Sequence, residues 1–354
     1  MMRTPGGIMI TARTTKRAAA FAAAAATALV LTACGGDSGS GETGGDGGDV
    51  TLSVSLTQNE QTPNYYCGIE LLKERLETAD VGITVDLYPS SQLGPHADRF
   101  PQVQSGDIDV DLLGGSELST TFPAIEAVDA AYAFDDVDHL FDWIDNGSQE
   151  MFDAFHEETG VKIVDGWWFG NRTFTTKDVE VHGPDDLAGE PIRFPDSPGF
   201  LANAEALGVD SPVSVAVEEV YTALQQGIAA GQENPIVATH SASYDEILNT
   251  IVLNEHNIGV QFTLVSDKTY EKLNEEQAAL LDETLHEIRA ENRTCVEDET
   301  NEIVDGYQAD DTYTVIEKED IDIDAFVKKA EAYFADYYDG DTLAAYESIR
   351  ALAG

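Results

Sequence analysis

Two polar side chains in this chain stand where a ligand would be met. Arg193 ends the short apolar run of GEPIRFPDSPGF (189–200) and is followed at once by Phe-Pro. Asn234 precedes Pro235 in GQENP (231–235), just after a helical stretch, EEVYTALQQG (218–227), that closes on Gly227. Ends of regular elements are where a rigid scaffold presents groups to a partner. A guanidinium offers paired donors that match both oxygens of a carboxylate, and it keeps its charge. An asparagine amide both donates and accepts, and Pro235 stiffens the backbone behind it.

The elements that must position these groups follow from periodicity. Residues 51–57 (TLSVSLT) alternate as a strand, 64–77 form a helix with Ile69, Leu72 and Leu76 on one face, and 82–88 alternate again. After the YPSSQLG turn and a short helix from Pro95, residues 107–113 (DIDVDLL) give a third strand. Strand, helix, strand, helix, strand is the order of a parallel sheet with crossover helices. Further on, the pattern predicts a helix over 137–155, a strand over 161–165, a strand over 190–194, a helix over 198–207 ending at Gly208, a helix over 217–226 and a long apolar strand over 254–265. That last strand is long enough to cross between two lobes. Asn274 with Gln277 forms a capping box and opens a helix that runs to about Val304, roughly 45 Å, long enough to serve as a beam for two lobes. A final helix covers 321–338.

The N-terminus reads as a leader. Arg13, Lys16 and Arg17 precede an alanine-rich apolar segment, 18–31, too short to span a bilayer comfortably. Leu31-Thr32-Ala33-Cys34 then resembles a bacterial lipoprotein signal, which implies cleavage before Cys34 and a lipid on its sulfur. Residues 35–49 hold only Gly, Ser, Asp, Glu and Thr and form a flexible tether. About 300 residues remain, enough for two domains. Outside the cytoplasm the two other cysteines, Cys67 and Cys295, are expected to pair rather than persist as buried thiols.

The chain carries 19 basic and 66 acidic residues, a formal net charge of −47 at neutral pH. That excludes nucleic acid as a partner. It fits either a salty habitat, where screening relieves self-repulsion, or a generally acidic proteome. Catalytic signatures are missing: no HExxH, GxSxG or GxxxxGK[ST] occurs, and the seven histidines lack metal-ligand spacing. Asp107, Asp109 and Asp111 alternate along a strand with no loop glycine, which argues against calcium. No metal, cofactor or turnover is expected.

Seven short motifs then occur in order: YPSSQLG (88–94), QSGDIDV (104–110), FPAIEA (122–127), GNRTFTTK (170–177), DDLAGEPIRFP (185–195), EEVYTALQQG and GQENP. Together, from about Thr51 to the C-terminus, they resemble the solute-binding proteins of tripartite ATP-independent periplasmic (TRAP) transporters. The resemblance implies an α/β, two-lobed, type II-like periplasmic-binding-protein fold with a long helix spanning both lobes, and delivery of a small organic acid to membrane permease subunits. It places Arg193 on the ligand carboxylate, Arg172 as a second arginine toward the ligand, Asn234 as their polar partner and Gln58 as a contact after the first strand. Ser116 follows the third strand similarly, at the carboxyl ends of parallel strands where an open sheet takes its ligand. Trp168 is a candidate pocket wall. Ala230 stands where the family motif usually has aspartate. The expected division is 1–33 signal, 34–49 lipidated cysteine and linker, 50–169 with 260–299 as one lobe, and 170–259 with 300–354 as the other. A binding lipoprotein of an ATP-driven importer or a sensor kinase would look alike at this level; a secreted hydrolase would need a nucleophile motif.

Overall fold

The structure, a computed structural model, describes residues 48–353. The leader, Cys34 and most of the linker lie outside the described residues. Among the described residues the nine strands are β1 (Val50–Ser55), β2 (Ile83–Tyr88), β3 (Val110–Leu113), β4 (Val161–Thr176), β5 (Ile192–Phe194), β6 (Val213–Ser214), β7 (Gly231–Pro235), β8 (Thr250–Ser266) and β9 (Thr314–Ile316). Among the helices are α1 (Glu70–Thr78), α2 (His96–Ser105), α3 (Gly115–Leu118), α4 (Val137–Asn146), α5 (Gln149–Thr159), α6 (Pro198–Leu207), α7 (Val220–Gln225), α8 (Ile236–Ser241), α9 (Asp267–Tyr270), α10 (Glu275–Ala309), α11 (Ile323–Tyr337) and α12 (Gly340–Arg350).

All strands join one sheet in the order β2-β1-β3-β8-β4-β7-β5-β6, with β9 on β8. The parallel expectation holds for β1 with β2 and β3, and again for β5 with β6 and β7. The two long strands run antiparallel to each other. The start of β4 and the end of β8 lie in the first lobe, where β3 pairs with β8 from Phe262 to Val265. Their other ends lie in the second lobe, beside β7 and β9. Both strands therefore belong to both lobes, and their backbone is buried on both faces along most of their length.

Gly170 pairs with Gly259, and the register shifts on either side of that pair. Neither position has room for a side chain. A Cβ on Gly170 would meet the Pro235 Cβ at 2.8 Å, and one on Gly259 would meet the Gly170 carbonyl at 2.9 Å. Gly170 also takes φ of +111°, which L residues rarely adopt.

The long helix is α10, 35 residues or about 52 Å. Its capping box is formed: Asn274 Oδ1 accepts the Gln277 N–H at 2.9 Å and Gln277 Oε1 accepts the Asn274 N–H at 3.0 Å. Leu281, Leu285 and Ile288 complete the core of the first lobe with Leu52, Val54, Leu72 and Trp167. About four turns further on, Ile303 and Tyr307 complete a second core with Ile236 and Ile251. Trp167 Nε1 donates to the Leu285 carbonyl at 2.9 Å, which satisfies the indole while its ring is fully buried. Cys67 and Cys295 are bonded, their Cα atoms 6.5 Å apart, tying the turn before α1 to the middle of α10.

Several boundaries differ from the sequence expectation. The strand expected at 161–165 continues to Thr176, because Trp167 to Thr176 is buried on both faces and so shows no alternation. GQENP is a strand, β7, with Pro235 at its end, where the missing N–H costs no ladder bond. The helix expected over 137–155 breaks at Gly147 and Ser148 into α4 and α5. The segment 217–226 opens as a 3-10 turn before α7, and α12 is an additional helix.

Candidate functional site

A cavity opens between the lobes at the carboxyl ends of β1, β3 and β5. Gln58 and Thr57, after β1, line it from the first lobe; Arg172, Arg193 and Asn234 line it from the second. Its floor is β8 around Asn257, Gly259 and Gln261. An adjoining recess shares Gln58 and Asn234 and extends to Ser90, Glu218 and Tyr244.

Arg193 sits at the middle of β5, paired in register with Val213 and Gln232. It is only 2 % exposed. Its Nε and Nη2 donate to the Val215 carbonyl at 3.1 and 2.8 Å, and no carboxylate among the described residues lies within ion-pair distance. Burial pulls the guanidinium down to about 10, against the raising influence of Glu233, Tyr244 and Glu218. It stays charged at neutral pH, desolvated and without a counter-ion.

Arg172 is in a different state. It lies on β4, and Glu233 on the neighbouring β7 grips it in a fork: Nε to Oε2 at 2.6 Å and Nη2 to Oε1 at 2.7 Å, with Nη2 also on the Glu233 carbonyl at 3.0 Å. Its guanidinium lies 4.6 Å over the Phe200 ring. Burial alone would lower its pKa, but Glu233, Asp129 and Glu117 outweigh burial and raise it. Burial would likewise raise Glu233, yet Arg172 and His256 hold it below the usual carboxylate range. His256 Nε2 lies 3.3 Å from Glu233 Oε2, and burial pushes the imidazole below its ordinary value despite that carboxylate. Arg172 thus already has its acid and faces the cavity as one half of an ion pair.

Asn234 Nδ2 donates to Gln232 Oε1 at 2.5 Å, and Gln232 Nε2 donates to Thr239 Oγ1 at 3.0 Å. Gln58 Oε1 accepts from Gln261 Nε2 at 2.8 Å, so the two lobes' amides are already oriented. Ala230 is held by backbone alone: its N–H donates to the Pro191 carbonyl and its carbonyl accepts from Lys177.

Two expected contacts fall away from the cavity. Ser116 is fully buried on α3, with its N–H on Asp129 Oδ2 at 2.5 Å and its hydroxyl 2.8 Å from where a Gly199 Cβ would stand. It fixes an acid and packs against α6 rather than lining the site. Trp168 points into the main core, with Nε1 on Asn171 Oδ1 at 3.2 Å, and strand alternation gives the wall to its neighbour Phe169.

Glu233, Phe169, Glu117 and Asp129 are among the site residues that escaped the sequence reading. Glu233 had a usable signal, a lone acid between polar residues in a segment leading to Pro235. Phe169 adjoined a residue that was considered. Glu117 and Asp129 carried no signal among 66 acids. Both line the cavity from the first lobe. Burial and Glu117 push the Asp129 carboxyl up to about 7, against the Ser116 N–H bond and Arg172.

Two lobes that share a pair of strands and a helix, around a cavity with an unpaired buried guanidinium, define a protein that traps a small solute between them. The sequence profile of the bacterial extracellular solute-binding proteins, family 7, matches residues 55–341, and the chain belongs to that family, the TRAP solute-binding proteins. Among its relatives is the sialic acid-binding periplasmic protein SiaP of Vibrio cholerae, 26% identical over 247 residues, 69% of this chain and 76% of that protein. Another is the 2,3-diketo-L-gulonate-binding periplasmic protein YiaO of Escherichia coli, 25% identical over 250 residues, 70% of this chain and 76% of that one. In structure the chain is similar to a TRAP periplasmic solute-binding protein of Roseobacter denitrificans with bound 3-deoxy-D-manno-oct-2-ulosonic acid: TM-score 0.78, 21% identity, 86% of this chain and all (100%) of that chain. A second Roseobacter denitrificans protein of this kind, with bound L-galactonate, gives a TM-score of 0.77 at 24% identity, over 86% of this chain and 99% of that one.

Proposed function

We propose that the chain captures a small organic acid between its lobes, holds the carboxylate on Arg193, and hands the closed complex to TRAP permease subunits in the membrane. The observation that carries the reading is the Arg193 guanidinium, nine-tenths buried, lining the cavity and unpaired among the described residues. A buried charge without a partner costs stability, and a carboxylate arriving in a closing, drying site removes that cost. Gln58 and Asn234 orient the bound acid, and Arg172, fixed by Glu233, adds a second donor edge. The acids named for the relatives support this, since sialic acid, 2,3-diketo-L-gulonate and L-galactonate all carry a carboxylate.

Closure is a rotation of residues 50–169 with 260–299 against 170–259 with 300–354, about the Gly170–Gly259 pair. Binding and release without turnover complete the cycle. The chain works outside the cytoplasm, held at the membrane by lipid on Cys34 after signal cleavage. The test is a thermal-shift screen of the purified mature chain against an organic-acid library, repeated on Arg193→Met. A ligand that binds only the folded state raises the melting point. Acids that stabilise the wild type and not the variant support the reading; equal shifts in both refute it.

A further inference from the structure

The charges facing the cavity do not suit a simple anion. Arg172 is neutralised by Glu233, which leaves Arg193, among the described residues, as the cation still open at the second-lobe side. From the first lobe Glu117 and Asp129 face the same space, and neither has a Lys, Arg or His within ion-pair distance among the described residues. Their oxygens converge. A Cβ on Gly114 would stand 2.7 Å from Glu117 Oε2 and 3.4 Å from Asp129 Oδ2, so both carboxylates border one small volume beside that glycine. Asp129 is 4 % exposed and held by the Ser116 N–H, and Glu117 by the Gly114 N–H at 2.8 Å. Both acids are fixed by backbone donors rather than by counter-ions. Glu218 adds a further acid at the adjoining recess, with Tyr244 beside it, and His96 lies on the cavity wall.

We propose that the site takes a zwitterion, with its carboxylate on Arg193 and a cationic N–H group between Glu117 and Asp129. The inference rests on the carboxylate reading of Arg193 and adds the chemistry of the other end. A second carboxylate placed there would meet one or two like charges in a drying site, which is strongly unfavourable. A hydroxyl could be accommodated but would neutralise nothing. An ammonium satisfies two acceptors and restores charge balance across the closed cavity. The field of the whole chain acts in the same direction: at a net −47 it repels dianions and is indifferent to zwitterions.

The experiment is calorimetry on the mature protein with two matched sets of three probes: 4-aminobutanoate, 4-hydroxybutanoate and succinate, then 5-aminopentanoate, 5-hydroxypentanoate and glutarate. The amino acid of at least one length is expected to bind about tenfold or more tighter than its hydroxy analogue, with the dicarboxylate weakest. Glu117→Gln is expected to shrink the amino-to-hydroxy ratio about fivefold or more, with a circular-dichroism melt confirming the fold. Arg193-dependent binding of acids with no preference for the ammonium overturns the zwitterion and leaves the acid reading standing. No Arg193-dependent binding of any acid, in this series or in the library, overturns both.

Discussion

Replacing Arg193 by methionine should separate stability from binding. In the free protein the guanidinium is buried without an acid, and burial pulls its pKa down to about 10. At about 1.4 kcal/mol for each tenfold change in the proton equilibrium, its charged form is disfavoured by roughly 3 kcal/mol. Methionine removes that penalty and keeps an apolar stem. It also leaves the Val215 carbonyl without two donors, which costs about 1–2 kcal/mol, less where water can reach the half-buried residue. The unliganded variant should therefore melt at the wild-type temperature or a few degrees above it. Binding should move the other way. A carboxylate entering the site loses its counter-charge, and recovering that 3 kcal/mol is worth about a hundredfold in affinity. Differential scanning calorimetry and isothermal titration on the same preparations read both effects. A variant that melts well below wild type while binding acids within about threefold would show that Arg193 is a structural residue and would refute the reasoning.

Glu233→Gln should behave oppositely, because it strips a buried guanidinium of its partner; urea unfolding should show a loss of about 3–5 kcal/mol. Asp129 has a folded-state pKa of about 7 against an ordinary 3.8, so the unfolded chain binds fewer protons between those values and stability falls as pH rises from about 4 to about 7. Asp129→Asn keeps an acceptor for the Ser116 N–H and should flatten that fall in melting temperatures taken across this range; an unchanged slope would mean another group carries it. Reducing the Cys67–Cys295 bond, which closes a 228-residue separation, should lower the unfolding free energy by about 2–5 kcal/mol, and the two thiols should resist alkylation until reductant is added to the denatured chain.

The elements that were legible are those whose burial is one-sided. β1, β2 and α1 show their periodicity because one face meets water, and α10 announced its start with Asn274 and Gln277. β4 was cut short in the reading because it is buried on both faces, so no alternation marks where it continues. Arg193 was legible as a residue type in a short apolar run, although it stands mid-strand rather than at the strand's end, and as part of a motif. Its state was not, since the absence of a nearby acid is a fact of packing. Arg172 shows the same limit from the other side: its partner, Glu233, lies 61 residues away and meets it only because β4 and β7 pair. Ser116 and Trp168 each stand one residue from a cavity-lining neighbour, Glu117 on α3 and Phe169 on β4, an offset too small for periodicity to resolve. Glu117 and Asp129 were invisible because acids are everywhere in this chain.

The sharing of β4, β8 and α10 between the lobes also sets an order of events during folding. β1 to β3 can pair early, but their sheet is completed by β8, and their core is closed by Leu281, Leu285 and Ile288. More than 150 residues of chain must therefore be laid down before the first lobe can bury its centre. The second lobe waits likewise on β9 and the far end of α10. Neither lobe is an independent folding unit, and long-range pairing of this kind makes folding slow and cooperative. A chain built this way stays open until nearly all of it is present, and a fragment carrying either lobe alone would leave an exposed strand edge and an unfinished core.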